Sequence, residues 1–265
     1  MQQPSLSAEH HTAFAFKPRL RAAGIHLVLS VLVAIATALL VFSFWYPWPY
    51  NELSGGRELF RLVVAVDIVL GPLLTFIVFQ RSKPRAELRR DLAVIVALQL
   101  AGLAYGLWTV HQARPVHLVF EYDRFRVVHQ VDIPRELEAA VPPGIPLAPL
   151  GGPTPLVLRP FRDAAEQGEY TMAALQGLQV SMRPELWQPY EVGTARVLQA
   201  ARPVSQLKQR FPQQGAAIDA ALSQAGRDAA GTVYLPLIAR QAVAWTVLLD
   251  AKSAEIVGYV PLDSF

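Results

Sequence analysis

A chain of 265 residues with 52% hydrophobic and only 17% charged residues is more apolar than an ordinary soluble domain, and membrane insertion accounts for the excess. The absence of cysteine excludes disulfides, thiolate metal sites and cysteine nucleophiles. The pI near 9.3 invites a nucleic-acid reading, but residues 1–110 hold 10 Lys+Arg against 6 Asp+Glu while residues 111–265 hold 14 against 15. The basicity therefore belongs to the apolar part, and the remainder has no nucleic-acid footprint.

Residues 1–21 read as a cytoplasmic tail ending in Lys17, Arg19 and Arg21. The apolar run that follows, 22–45, is too long for a signal peptide and ends in aromatic residues instead of a small-residue cleavage site, so it predicts an uncleaved first span. Tyr46-Pro47-Trp48-Pro49-Tyr50 stops that helix, because two prolines cannot continue it, and its rings with Trp45 predict an aromatic belt at the interface. The second span, 59–79, covers roughly 30 Å and carries one acid, Asp67, followed by Gly71 and Pro72. Five basic residues, Arg81, Lys83, Arg85, Arg89 and Arg90, come next, against Arg57 alone in the first loop. That asymmetry places the N-terminus inside, sends the third span, 92–110, outward and predicts that residues 111–265 are exported. The same cations offer anionic lipid head groups about 1 kcal/mol each.

For residues 111–265 the pattern predicts an α+β domain with antiparallel strands at both ends and helices between. Val116–Phe120 and Phe125–Gln130 read as a hairpin around Glu121–Arg124, and Asp132 as the cap of a helix over Pro134–Ala140. A stiff, structureless loop spans 142–155, with six prolines and three glycines. Helices are expected at about 162–178, 189–200, 204–210 and 213–224. Thr232–Ala239, Ala242–Leu249 and Ala254–Val260 form an antiparallel meander, in which Pro236 suggests an edge strand able to add a partner's strand.

An ionised acid inside a span needs a partner. Asp67 lies about 12 Å in from the outer end of its helix, and the same count reaches Thr37 in the first span and Gly102 in the third, with Tyr105 one turn above. A hydroxyl from Thr37 or Tyr105 then satisfies Asp67, while Gly102 and Gly106 let two helices approach closely. The alternative is a groove at Asp67, Gly71 and Pro72 that receives a partner's apolar helix. A proton pathway lacks a relay, since His26 and Gln99 count to other depths. His117 and His129 would face each other if the hairpin turns about Asp123, which makes them a candidate metal pair or pH switch, with His111 as a third ligand. Motifs for serine, zinc-peptidase or phosphate-loop chemistry are absent from the sequence.

Several stretches taken together resemble the type IV pilin accessory proteins, the TfpX/TfpZ group. They are Arg19-Leu20-Arg21-Ala22-Ala23-Gly24-Ile25-His26-Leu27, Ser54-Gly55-Gly56-Arg57-Glu58-Leu59-Phe60 and Val66-Asp67-Ile68-Val69-Leu70-Gly71-Pro72-Leu73-Leu74-Thr75. Leu88-Arg89-Arg90-Asp91-Leu92-Ala93, Ala104-Tyr105-Gly106-Leu107-Trp108, Arg114-Pro115-Val116 and Asp123-Arg124-Phe125-Arg126-Val127-Val128 continue the likeness. It covers residues 18–135 well and the rest loosely, apart from Leu186-Trp187-Gln188-Pro189-Tyr190 and the final meander. The resemblance implies a bacterial inner-membrane, chaperone-like factor that helps a cognate type IV pilin accumulate or reach the surface, with no catalysis and no cofactor. The competing expectation is a membrane-anchored envelope enzyme that modifies pilin or a wall component. A sensor is a third, weakened by the lack of an inner output domain.

Overall fold

A computed structural model describes residues 16–80, 83–240 and 243–265; Arg81 lies outside them. The apolar runs form helices. α1, Phe16–Leu40, continues into a π-helical turn, Val41–Trp45. After the proline pair comes a single turn, α2, Tyr50–Leu53, then α3, Gly56–Val78, and α4, Arg85–Gln112. The three helices Phe16–Trp45, Gly56–Val78 and Arg85–Gln112 are long and apolar enough to cross a membrane. α1 and α4 begin before their apolar runs, so Lys17, Arg19, Arg21, Arg85, Arg89 and Arg90 stand on helical turns. Lys83, just ahead of α4, is paired with Asp91 at 2.8 Å and Glu87 at 3.5 Å.

The chain divides into two units. One comprises the helices up to Thr37 and over Arg61–Leu107; the other comprises Ala38–Phe60 with Trp108–Phe265. In the helical unit, α1 buries Ala23, Ser30 and Thr37, small residues seven apart, a spacing that keeps one face inward and permits close helix approach. Gly106 of α4 sits against Val63 of α3, where a Cβ would meet Val63 Cγ2 at 2.7 Å.

The second unit is built on a mixed sheet. Its strands are β1 Pro115–Phe120, β2 Phe125–His129, β3 Thr154–Leu158, β4 Trp187–Pro189, β5 Arg202–Pro203, β6 Thr232–Ile238, β7 Ala244–Asp250 and β8 Ile256–Val260. They are ordered β4-β3-β1-β2-β6-β7-β8, with β5 added to β6. The β1–β2 hairpin and the β6-β7-β8 meander are antiparallel, as the pattern predicts. The two ends meet in one mixed sheet, because β3 runs parallel to β1 and β6 parallel to β2. In both cases a long connection returns the chain to its starting end before the next strand begins.

β3 also corrects the loop expectation. The last two residues of 142–155, Thr154 and Pro155, already pair with β1, and proline is tolerated at a strand's start. Pro236 is not on an edge: β6 pairs with β7 along its length and, on its other side, with β5 at Val233 and Tyr234 and with β2 at Leu237 and Ile238. Pro236 falls where the neighbour changes from β5 to β2, so its missing donor is tolerated inside the sheet, and no free edge for a partner's strand exists there.

Four helices lie between β3 and β6: α5 Ala164–Leu175, α6 Thr194–Ala200, α7 Val204–Arg210 and α8 Gly215–Gln224. α6 is shorter than expected because Trp187–Pro189 is a strand and Tyr190–Gly193 a 3-10 turn. Asp132 does not cap the segment after Pro134. Its carboxylate accepts instead from His129 N–H at 3.0 Å, and Arg135–Ala140 is a 3-10 helix with no side-chain cap.

One face of the sheet is covered by the loop between the first two long helices. Tyr50 and Leu53 share a core with Leu118, Phe120, Phe125, Leu237 and Val247, and the Tyr50 hydroxyl bonds that of Tyr259 at 2.8 Å. Tyr46, fully buried, donates to Val110 O at 2.9 Å. The aromatic-belt expectation is thereby corrected: Tyr46 and Tyr50 are core residues, and of these rings Trp48 is the exposed one. Because this loop packs on the strands, both lie on one side of any membrane that α3 and α4 cross.

The opposite face buries Val116, Val119, Leu158 and Trp187, and also His117. Its Nδ1 is 2.7 Å from Thr154 Oγ1, and its Nε2 is 3.1 Å from Leu147 O. Burial pulls this imidazole from 6.5 down to about 4, so the folded form holds it neutral. Stability is then complete above pH 6.5 and is lost as pH falls towards 4, by about 3 kcal/mol in all, because only the unfolded chain takes up the proton. Thermal midpoints of the full chain in detergent should fall between pH 7 and pH 4.5, with a flatter slope in His117→Asn. An unchanged slope would remove His117 from this role.

Candidate functional site

Within the helical unit, α1, α3 and α4 line an open cavity of about 410 Å³ with mostly aliphatic walls and five polar residues, His26, Ser30, Asp67, Thr75 and Gln99. This volume lies in the range of ligand pockets, and an apolar wall with few polar groups is their usual composition. α3 positions two of the five, since Asp67, Gly71 and Thr75 are spaced i, i+4, i+8 and share one helical face. His26 Nδ1 lies 2.5 Å from Thr75 Oγ1, which ties α1 to α3.

Gln99 crosses from α4 and donates to Asp67 O at 3.1 Å. The Asp67 carboxylate has the same Gln99 amide and the His26 imidazole as polar neighbours. Gly71 makes this possible, because a Cβ there would stand 2.0 Å from Gln99 Nε2. The glycine thus leaves room for a side chain, in addition to any closeness of backbones.

Asp67 is half-buried and lines the cavity, and Gly71 is buried beside Gln99. The partners differ from those expected. Thr37 is buried but does not line the cavity, Tyr105 is 69% exposed, and a Cβ on Gly102 would meet nothing within 4 Å. Pro72 is half-buried within a continuous α3 and is not among the residues that line the cavity. Counting equal depths from the outer ends misses Gln99, whose long side chain reaches a turn beyond its own Cα, and sets His26 aside. The i, i+4, i+8 spacing on α3 and the seven-residue spacing on α1 were the signals available.

The expected histidine pair does not form. The hairpin loop holds four residues, so His117 stands opposite Val128 and, beyond a bulge at Val116, His129 stands opposite Pro115. His129 Nδ1 instead contacts Asp132 at 2.9 Å. Burial raises the Asp132 carboxyl, but the His129 contacts outweigh it and hold the group below its ordinary value. No group of three His, Asp or Glu residues suited to a metal occurs among the described residues.

Comparison with known proteins gives one consistent result. The family model "Fimbrial assembly protein FimB" matches residues 14–55. The fimbrial assembly protein of Dichelobacter nodosus serogroup E1 is 34% identical over 91% of this chain and 94% of its own length. That of serogroup I is 35% identical over 91% and 94%, and that of serogroups C1 and C2 is 42% identical over 42% of this chain and 84% of its own length. No solved structure matches. With relatives this similar over nearly the whole of both chains, the protein belongs to the fimbrial assembly protein family of type IV fimbrial accessory factors.

Proposed function

We propose that this protein acts at the bacterial inner membrane as a chaperone-like accessory factor, holding a cognate type IV pilin before it enters the fimbria. Its N-terminus and the basic segment around Arg85–Arg90 face the cytoplasm, and the α/β region faces the periplasm. It acts by binding, without catalysis or a cofactor. The observation that carries this reading is the cavity among three membrane-length helices, with an aliphatic wall and an acid beside the Gln99 amide. Lipid already covers the apolar helix of an unassembled subunit, so what such a cavity offers it is close packing and polar contacts that lipid tails lack. The names of the Dichelobacter relatives support a place in fimbrial assembly.

Gene deletion tests the reading, with immunoblots of total pilin and of pilin sheared from the cell surface. Loss of both at unchanged transcript level is the expected result. Normal total pilin with reduced surface pilin moves the role to the assembly step. Normal amounts with an altered pilin mass would overturn the binding role in favour of a modifying enzyme.

A further inference from the structure

From Ala139 to Leu158 the chain carries no charged residue, and six prolines within 142–155 remove six backbone donors. Irregular backbone stays out of a bilayer's hydrocarbon because its N–H groups lose their water partners there, and prolines lower the cost of approaching it. The structure fastens this loop at two points. Gly152 N–H donates to Phe44 O at 2.8 Å, in the final turn of the first long helix. Arg114, two residues past the end of α4, donates to Ala148 O at 3.2 Å while another of its nitrogens bonds His111 O at 2.7 Å.

Residues 148–152 are thus held at the ends of two helices of membrane length. Within the loop, Ile145 is buried and Leu147 packs against the sheet core. Leu150, midway between the two fastenings, is 71% exposed, and Phe44, the acceptor at Gly152, is 60% exposed. One exposed leucine is ordinary on a protein surface. One at the tip of a charge-free, donor-poor loop fastened at the helix ends is placed where a bilayer surface must lie if those helices cross it.

We infer that the loop over residues 142–155 is a membrane-surface contact that inserts Leu150 into the lipid interface beside the ends of α1 and α4. The inference rests on the spanning reading of the long helices. Its occupant is the bilayer itself, chosen over a protein partner because the fastenings are the helix ends.

Since the chain has no cysteine, a single Leu150→Cys in the full chain provides a unique site for an environment-sensitive fluorophore. The labelled protein is reconstituted into phosphatidylethanolamine–phosphatidylglycerol vesicles containing lipids with a nitroxide near the head group, which report positions 150 and 175, or, in a second preparation, lipids with a nitroxide deep in the acyl chains, which report position 69. Val69→Cys, at a 59% exposed position of α3, and Leu175→Cys, at a 77% exposed position of α5, serve as references. Position 150 should show a blue-shifted emission and at least twofold stronger quenching than position 175. Equal signals at 150 and 175, with position 69 quenched, would overturn the inference and leave the spans intact. An unquenched position 69 would overturn the spanning reading, and the inference with it.

Discussion

Leu53→Ala is expected to destabilise the α/β region by about 2–5 kcal/mol, the usual range for removing a buried leucine from a close-packed core. The residue lies in a loop between two long helices, where ordinary expectation is tolerance. Here it is 1% exposed and packs with strands that follow some 60 to 200 residues later. For a unit of this size the thermal midpoint should fall by roughly 5–15 °C, measured on the full chain in detergent by near-ultraviolet circular dichroism. Trp48→Ala, five residues earlier and half-exposed, should move it far less. Equal small effects at both positions would show that the loop is not part of the core.

Gly71→Ala should uncouple the polar centre of the cavity without unfolding the helices. The atoms a new Cβ would strike belong to the flexible end of Gln99, so the amide turns away and its bond to Asp67 O is lost. The bond is internal to the protein, so its loss costs the helical unit about 1 kcal/mol of stability. Under the pilin-holding proposal the displaced amide also alters the cavity wall that a partner helix meets, and pilin co-purifying with the protein should fall while the protein's own amount stays constant. In a Gln99→Ala background the same glycine change should add little, since residues sharing one interaction are not additive. A full additional loss there would mean that Gly71 acts through something other than Gln99.

The hairpin, the meander and the three apolar helices were legible because each rests on local periodicity. What escaped depends on contacts between distant segments. β3 is short and begins in a Thr-Pro pair, so its proline-rich approach reads as loop until β1 is found beside it. Tyr46 and Tyr50 look like interfacial rings, and only the distant partners Val110 and Tyr259 reveal them as core. Asp67 could be singled out as an intramembrane acid, but its partner depended on the reach of a side chain, which counting Cα rises ignores. The histidine pair failed by a single residue of register, which in a strand moves a side chain to the other face.

The bond between Tyr50 and Tyr259 joins residues 209 positions apart and sets a constraint on biosynthesis. At 5–20 residues per second, roughly 10–40 s separate the synthesis of Tyr50 from that of its partner. Throughout that interval the apolar residues of the early loop have no finished sheet to cover. The α/β region therefore cannot close before Tyr259 has been made. Its last strand completes a fold begun by one of the first segments to leave the ribosome, so an incomplete chain is a target for proteolysis.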